Sequence, residues 1–107
     1  MIKLKFQIKN NKLERTDSEQ IISKSKHLYK AIFEFEGRMW KGVEKIAIFT
    51  DSWGNRKRVY IGRWECKCVI PDSILQGTFF KVTVYGGDLI TTNDISIPLV
   101  QSDYNIF

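Results

Sequence analysis

The sequence has little of several residue types, with one histidine, two cysteines and two prolines among 107 residues. The single histidine, His27, has no serine or cysteine beside it in a nucleophile motif, so Ser-His and Cys-His catalysis have little basis. The pair Gly86-Gly87 lacks the following helix and lysine of a phosphate-binding loop. These scarcities predict that the chain is not an enzyme.

Long apolar runs are also lacking. No segment approaches the roughly 20 apolar residues of a membrane-spanning helix. Met1–Lys9 alternates apolar residues with lysine and glutamine, whereas a secretory signal needs an apolar block. The chain is therefore expected to be soluble, to have no membrane partner, and to stay in the cytoplasm of the cell that makes it. Its 43% hydrophobic residues predict one folded domain over 1–107.

Charge is unevenly distributed along the chain, whose net charge is +5. Residues 1–67 carry 16 of the 17 lysines and arginines and 8 of the 12 acids, a balance of +8. Residues 68–107 carry one lysine and four acids, a balance of −3. A basic region permits contact with nucleic acid, but it also suits an acidic protein partner or simply solubility. Nucleic acid is the disfavoured partner.

Apolar and polar residues alternate along most of the chain, which predicts β-strands. The last third contains two such segments, Thr78–Tyr85 and Leu89–Leu99, rich in β-branched and aromatic residues. Gly86-Gly87 between them predicts a hairpin in which both glycines need positive φ. Pro71–Gly77 starts with proline and ends with glycine, which predicts one short helical turn.

The remaining predicted strands are Met1–Lys9, Lys12–Arg15, His27–Glu36, Val43–Thr50, Arg58–Ile61 and Trp64–Ile70. No segment has a helical period longer than about two turns. Seven or eight short strands with regularly spaced turns predict an antiparallel β-sandwich or a small barrel.

The two cysteines, Cys66 and Cys68, lie at positions i and i+2 of a predicted strand and therefore share one face. Their sulfurs could reach one metal ion, but structural zinc uses four ligands and only His27 and carboxylates remain. The favoured interpretation is two reduced thiols packed in the core beside Trp64 and Ile70. Zinc at the two cysteines is the weaker alternative.

A basic and aromatic segment occupies residues 38–67. Its cations are Arg38, Lys41, Lys45, Arg56, Lys57, Arg58, Arg63 and Lys67, and its large aromatics are Trp40, Trp53, Tyr60 and Trp64. Arginine and tryptophan dominate protein-binding hot spots, and single-stranded nucleic acid is bound by a similar mixture.

Trp53, between Ser52 and Gly54 in a turn, is the best candidate for an exposed anchor, although it could instead fold back over the sheet edge. The predicted partner-binding residues are Trp53, Arg56, Lys57, Arg58 and Arg63.

Short motifs are spread over nearly the whole chain. They are L-x-R-T-D at 13–17, S-x-x-x-Y-x-A-x-F-x-F at 25–35, W-x-G at 40–42, K-x-A-x-F at 45–49, C-x-(I/V)-P at 68–71, F-x-V-x-V-Y-G-G-D-x-I-T-T-N at 80–93 and S-x-Y at 102–104. The set resembles a small β-sandwich module of bacteriophage tail and baseplate proteins, which is usually found at the N-terminus of baseplate or tail-fibre-like subunits.

The resemblance implies an all-β, immunoglobulin-like antiparallel sandwich of about seven to eight strands with one short helical turn. It implies a non-enzymatic, protein-binding component of the phage tail or baseplate, able to form oligomers. Such a protein would occupy the host bacterial cytoplasm and then the virion. The alternative is a stand-alone, anti-CRISPR-like inhibitor that binds a host defence nuclease through the basic and aromatic segment.

Overall fold

The structure is a computed structural model, and it describes residues 1–24 and 28–101. Nine strands form within those residues, so the predicted all-β class is confirmed. They are β1 Ile2–Lys9, β2 Lys12–Arg15, β3 Tyr29–Glu36, β4 Lys45–Asp51, β5 Arg56–Gly62, β6 Lys67–Val69, β7 Phe79–Gly86, β8 Ile90–Thr91 and β9 Ile95–Pro98. Two short 3₁₀ turns, Arg38–Trp40 and Asp72–Gln76, accompany the strands, and the second is the helical turn predicted over Pro71–Gly77. In this part of the chain no helix has the length and apolarity needed to span a bilayer.

One sheet has four strands in the order β2-β1-β3-β6. Strands β1 and β3 run parallel, with Phe6 beside Phe33, and this pair departs from the antiparallel arrangement that was expected. Parallel neighbours need a long connection that returns the chain to the same end of the sheet. Strand β2, which runs antiparallel to β1, begins that return.

The L-x-R-T-D motif fixes the start of this connection. Asp17 accepts hydrogen bonds from the backbone N–H of Lys5 at 2.7 Å and of Glu19 at 2.8 Å, and its Oδ1 lies 2.7 Å from Arg15 Nη2. Burial alone would raise the pKa of Asp17, but these contacts outweigh it and hold the pKa below its usual value. The motif therefore has a structural role.

The second sheet has five strands, with β5, β4 and β7 in that order and β8 and β9 both along the far side of β7. The prediction of one continuous strand over Leu89–Leu99 is wrong, because the strand is interrupted at residues 92–94. Thr92 Oγ1 accepts the N–H of Val84 at 3.0 Å. The Asn93 amide accepts the N–H of Leu13 at 2.8 Å and donates to its carbonyl at 3.2 Å. The interruption thus ties the second sheet to β2 of the first.

The two sheets share one apolar core. Alternate residues of each long strand face it, as Phe80, Val82 and Val84 of β7 do. Trp40 is fully buried against Phe35, with 5.1 Å between ring centroids. A sandwich-like pair of sheets with a common core is therefore the architecture of the described residues.

The Gly86-Gly87 pair works differently from the prediction. Only Gly87 has a positive φ, +55°. Gly86 is the last residue of β7, and a Cβ there would lie 2.7 Å from Cζ3 of the Trp40 ring. The first glycine is therefore required by close packing and the second by backbone conformation.

The predicted strand Trp64–Ile70 is also shorter than expected, since β6 covers only three residues. Cys68 and Ile70 are buried as predicted, but Trp64 is 71% exposed and Cys66 is exposed. The chain turns before β6, where Gly62 has a φ of +123° and the Glu65 carboxylate accepts the Trp64 N–H at 3.2 Å. The placement of Trp64 and Cys66 on the buried face is therefore wrong.

Candidate protein-binding surface

Trp53 lies at the tip of the β4–β5 hairpin, in a loop organised by Asp51. One carboxylate oxygen of Asp51 accepts the N–H of Trp53 at 2.9 Å and that of Asn55 at 2.8 Å. The Asp51 carbonyl accepts the N–H of Gly54 at 3.1 Å, and Gly54 has a φ of +89°. A turn followed by a glycine in the left-handed region is a standard three-residue hairpin loop. The D-S-W-G-N sequence therefore builds the loop locally.

The side chain of Trp53 is 68% exposed. One edge of the ring lies over Gly77, where an added Cβ would sit 3.3 Å from Trp53 Cζ3. Burial alone would raise the pKa of Asp51, but the bonds from Asn55 and Trp53 outweigh it and hold the pKa below its usual value. The loop is therefore held by an ionised carboxylate at neutral pH, with most of the indole in solvent.

The three consecutive cations after the loop do not form one cluster. Arg56 and Arg58 lie opposite Thr50 and Ile48, on the face of the second sheet that points away from the core. Lys57 lies opposite the buried Phe49, on the other face, and reaches solvent at the sheet edge. Strand alternation thus directs Lys57 and the two arginines to opposite faces of the sheet, although Arg56 and Lys57 both lie close to the tip loop.

Two shallow cavities border these side chains. One, of about 420 Å³, is lined by Ile48, Arg56, Arg58 and Tyr85 on the outer face of the second sheet. The other, of about 460 Å³, lies between the tip loop and the 3₁₀ turn that follows β6, and Trp53, Arg56 and Lys57 contribute to it. Arg56 lines both cavities, so the surface around Trp53 is continuous with the outer face of the second sheet.

Arg63 is placed away from the other predicted binding residues. It follows β5, roughly 20 Å along the strand from Arg56 at the usual rise per residue. It donates to the Gly42 carbonyl at 3.1 Å and pairs with Glu44 at 3.5 Å. The structure therefore brings Trp53, Arg56 and Lys57 together and leaves Arg63 at the opposite end of the hairpin.

A different aromatic and cationic cavity, of about 390 Å³, occupies that opposite end. Trp64, Trp40, Phe35 and Lys45 contribute to it. Lys45 is only 5% exposed, and its ammonium donates to the carbonyls of Val43 at 2.9 Å and Arg63 at 2.7 Å. Burial lowers the pKa of Lys45. The buried ammonium of Lys45 thus supplies a hydrogen-bond donor to both carbonyls.

The two cysteines differ in environment. Cys66 is exposed at the rim of this end cavity, whereas burial raises the pKa of Cys68 to about 12. Over residues 1–24 and 28–101 no three His, Cys, Asp or Glu side chains are grouped as metal ligands would be. His27, the third ligand considered for zinc, lies outside the described residues.

Two tyrosines complete the outer surface and were not among the predicted binding residues. Tyr60, 60% exposed, lies opposite Ile46, and Tyr85 lies on the other side of Ile46 in β7. Strand alternation places Tyr60 on the same face as Arg56 and Arg58, so the position of Tyr60 could have been predicted from the sequence. The position of Tyr85 beside Ile46 depends on how β4 and β7 pair, and the local sequence does not predict that pairing.

The sequence matches no protein-family model and none of the curated proteins compared with it. Among solved structures, the chain is similar to the N-terminal domain of phage TP901-1 ORF48, with a TM-score of 0.53 and 10% sequence identity. The similarity covers 96% of this chain and 100% of that domain. At this identity the likeness shows a shared fold.

Proposed function

We propose that this chain is a non-enzymatic, protein-binding module of phage origin that acts as a structural component of a tail or baseplate. Two findings support the phage origin. The chain shares its fold with a domain of a phage protein, and its motifs resemble those of the tail module described above. The scarcity of catalytic groups supports the proposal that it is not an enzyme.

The observation that carries the binding role is the exposed, locally fixed Trp53 next to Arg56. An aromatic side chain held in place before binding loses little conformational entropy on contact, and tryptophan and arginine are the usual interface anchors. The hydrogen bonds of Asp51 fix the loop, and the indole is left 68% exposed. The partner is therefore a protein surface with a pocket for the indole and acidic groups for Arg56.

We further propose that the sandwich is immunoglobulin-like. Two sheets around a common core support this. An immunoglobulin-like sandwich is built mainly from antiparallel strands, so here it has to include one parallel pair, β1 and β3. An experimental structure whose strand order fitted no immunoglobulin-like arrangement would overturn the proposal.

The binding role is tested with purified phage particles and a tagged copy of the chain. We expect the chain to co-purify with particles and to bind a tail or baseplate protein. Trp53→Ala combined with Arg56→Ala should weaken that binding by more than about 2 kcal/mol, the scale of a hot spot, and leave the melting temperature unchanged.

The matched control is Trp64→Ala combined with Arg63→Ala, which removes an equally exposed tryptophan and an arginine at the other end of the hairpin. Binding should change little in this control. Absence from particles, together with salt-sensitive binding to a host defence complex, would replace the tail role by the inhibitor role. Unchanged binding in the Trp53 and Arg56 double variant would show that the hairpin tip is not the interface.

A further inference from the structure

Strand β5 is longer than the other edge strands in the described part of the chain. It covers seven residues and ends the five-stranded sheet. Among the residues that the structure describes, β4 is the strand with which β5 pairs, and no strand pairs with its other side. Its second side therefore presents backbone groups that can accept another strand.

The hairpin loop shows which backbone groups these are. The N–H of Asp51 donates to the carbonyl of Asn55 at 2.9 Å, so this pair is hydrogen-bonded. In an antiparallel ladder, hydrogen-bonded pairs alternate with non-bonded pairs. From the observed register, Lys57 and Val59 are in bonded positions with β4. Arg56, Arg58 and Tyr60 consequently direct their N–H and C=O groups towards the open edge.

The other sheet edges are less suited to strand addition. Strand β6 has three residues and β8 has two. In β2, the Asn93 amide already bonds both backbone groups of Leu13. Strand β9 contains Pro98, which has no N–H to donate. These features protect edges against pairing. Strand β5 contains no proline, and within residues 1–24 and 28–101 the side chains of Arg56, Lys57, Arg58 and Tyr60 are exposed.

Charge decides what can pair with β5. Arg56 and Arg58 flank the open edge on the outer face, and Lys57 flanks it on the other face. Pairing β5 with β5 of a second copy would bring two such basic runs together, and like charges on neighbouring strands are destabilising. An extended acidic segment would instead pair each of its carboxylates with a nearby cation.

We propose that the open edge of β5 binds an extended acidic segment of the partner protein as an additional strand. The proposal rests on the protein-binding role given above and specifies its mode. The backbone groups of Arg56, Arg58 and Tyr60 supply the ladder bonds, and the flanking cations select acidic side chains. Trp53, in the loop that precedes the strand, contacts the end of the same segment.

The first test uses the wild-type protein and a synthetic peptide in which Glu and Val alternate, long enough to span β5. Amide exchange measured by NMR should be slow at Lys57 and Val59 and fast at Arg58 and Tyr60 in the free protein. The peptide should slow exchange at Arg58 and Tyr60 by at least tenfold. Unchanged exchange at these two amides under saturating peptide would overturn the proposal.

The second test compares two variants that lose the same charge. Arg58→Ala keeps the outward N–H, whereas Arg58→Pro removes it, and proline is tolerated where an edge N–H faces solvent. We expect both to bind the peptide more weakly than wild type, with Arg58→Pro at least tenfold weaker than Arg58→Ala. Equal affinities for the two would overturn strand addition and leave a side-chain-mediated protein-binding role intact.

The selectivity for acid is tested with a second peptide in which Lys replaces Glu. This peptide should bind at least tenfold more weakly at low salt, and equal binding would overturn the proposed selectivity. Displacement of the acidic peptide by an oligothymidine strand, with Arg58 and Tyr60 left in fast exchange, would assign the surface to nucleic acid. Failure of the chain to bind any phage-particle protein would overturn the proposed function itself, whatever the peptide does.

Discussion

The β4–β5 hairpin exposes one tryptophan at its tip and another at its base, and the two are held differently. Trp53 at the tip lies in a short loop fixed by hydrogen bonds to Asp51. Trp64 at the base borders a cavity formed with Trp40 and the buried Lys45. The tip depends on neighbours in sequence, whereas the base depends on packing between distant segments. Changes at the base should therefore affect stability most, and changes at the tip should mainly affect binding.

The largest expected effect is at the base, for Gly86→Val. Because a Cβ would meet the Trp40 ring at 2.7 Å, this change should lower the free energy of unfolding by roughly 3 kcal/mol. Its control is Gly87→Ala, where an added Cβ makes only an ordinary contact with Val43 at 3.5 Å but φ is positive, and it should lose only about 1 to 2 kcal/mol. Urea unfolding followed by circular dichroism measures both. Equal losses would contradict the packing role assigned to Gly86.

Lys45→Met should have the next largest effect. It leaves the carbonyls of Val43 and Arg63 without their donor, and a lost partner for such groups costs about 1 to 3 kcal/mol. The control is Lys41→Met, an exposed lysine bordering the same cavity, which should stay within about 0.5 kcal/mol of wild type. A Lys45 variant as stable as the Lys41 variant would show that the buried ammonium does not support the base.

At the tip, Asp51→Asn should reduce stability less than Lys45→Met, in a pH-dependent way. The pKa of Asp51 is lower in the folded protein than its ordinary value of 3.8. Its contribution is therefore fully present at neutral pH and is lost as the pH falls below 3.8 through the folded pKa. The measurement is the difference in unfolding free energy between wild type and variant, from pH 7 downwards. A difference that does not shrink in acid would contradict the ionised carboxylate.

The smallest expected effect on stability is that of removing metal ions, and the two cysteines should differ clearly in their reactivity. Exposed Cys66 should react with a thiol reagent in the native protein, whereas Cys68, with its pKa raised to about 12 by burial, should react only on unfolding. A chelator should leave the melting temperature unchanged. About one zinc per chain in metal analysis would contradict this and make Cys66 and Cys68 ligands.

The sequence correctly predicted most strands and the exposure of Trp53, but not how the predicted binding residues are distributed over the molecule. Arg56, Lys57 and Arg58 were all predicted to bind the partner, although successive side chains of a strand point to opposite faces and the alternation in β5 was visible. Arg63 was grouped with them because it is near in sequence. The open edge of β5 was invisible, since a strand is an edge only once the other strands have paired.

Local chemistry by itself determined most of the strands, the 3₁₀ turn after Pro71 and the D-S-W-G-N loop, because each depends on residues within a few positions of one another. The tertiary structure alone decided the parallel β1–β3 pair, the exposure of Trp64 and the burial of Lys45. It also decided the bond between Asn93 and Leu13, which are 80 residues apart in the chain. These features depend on which elements pack together. That packing is stabilised by burying apolar side chains in a core that several distant segments share, so no single segment determines it.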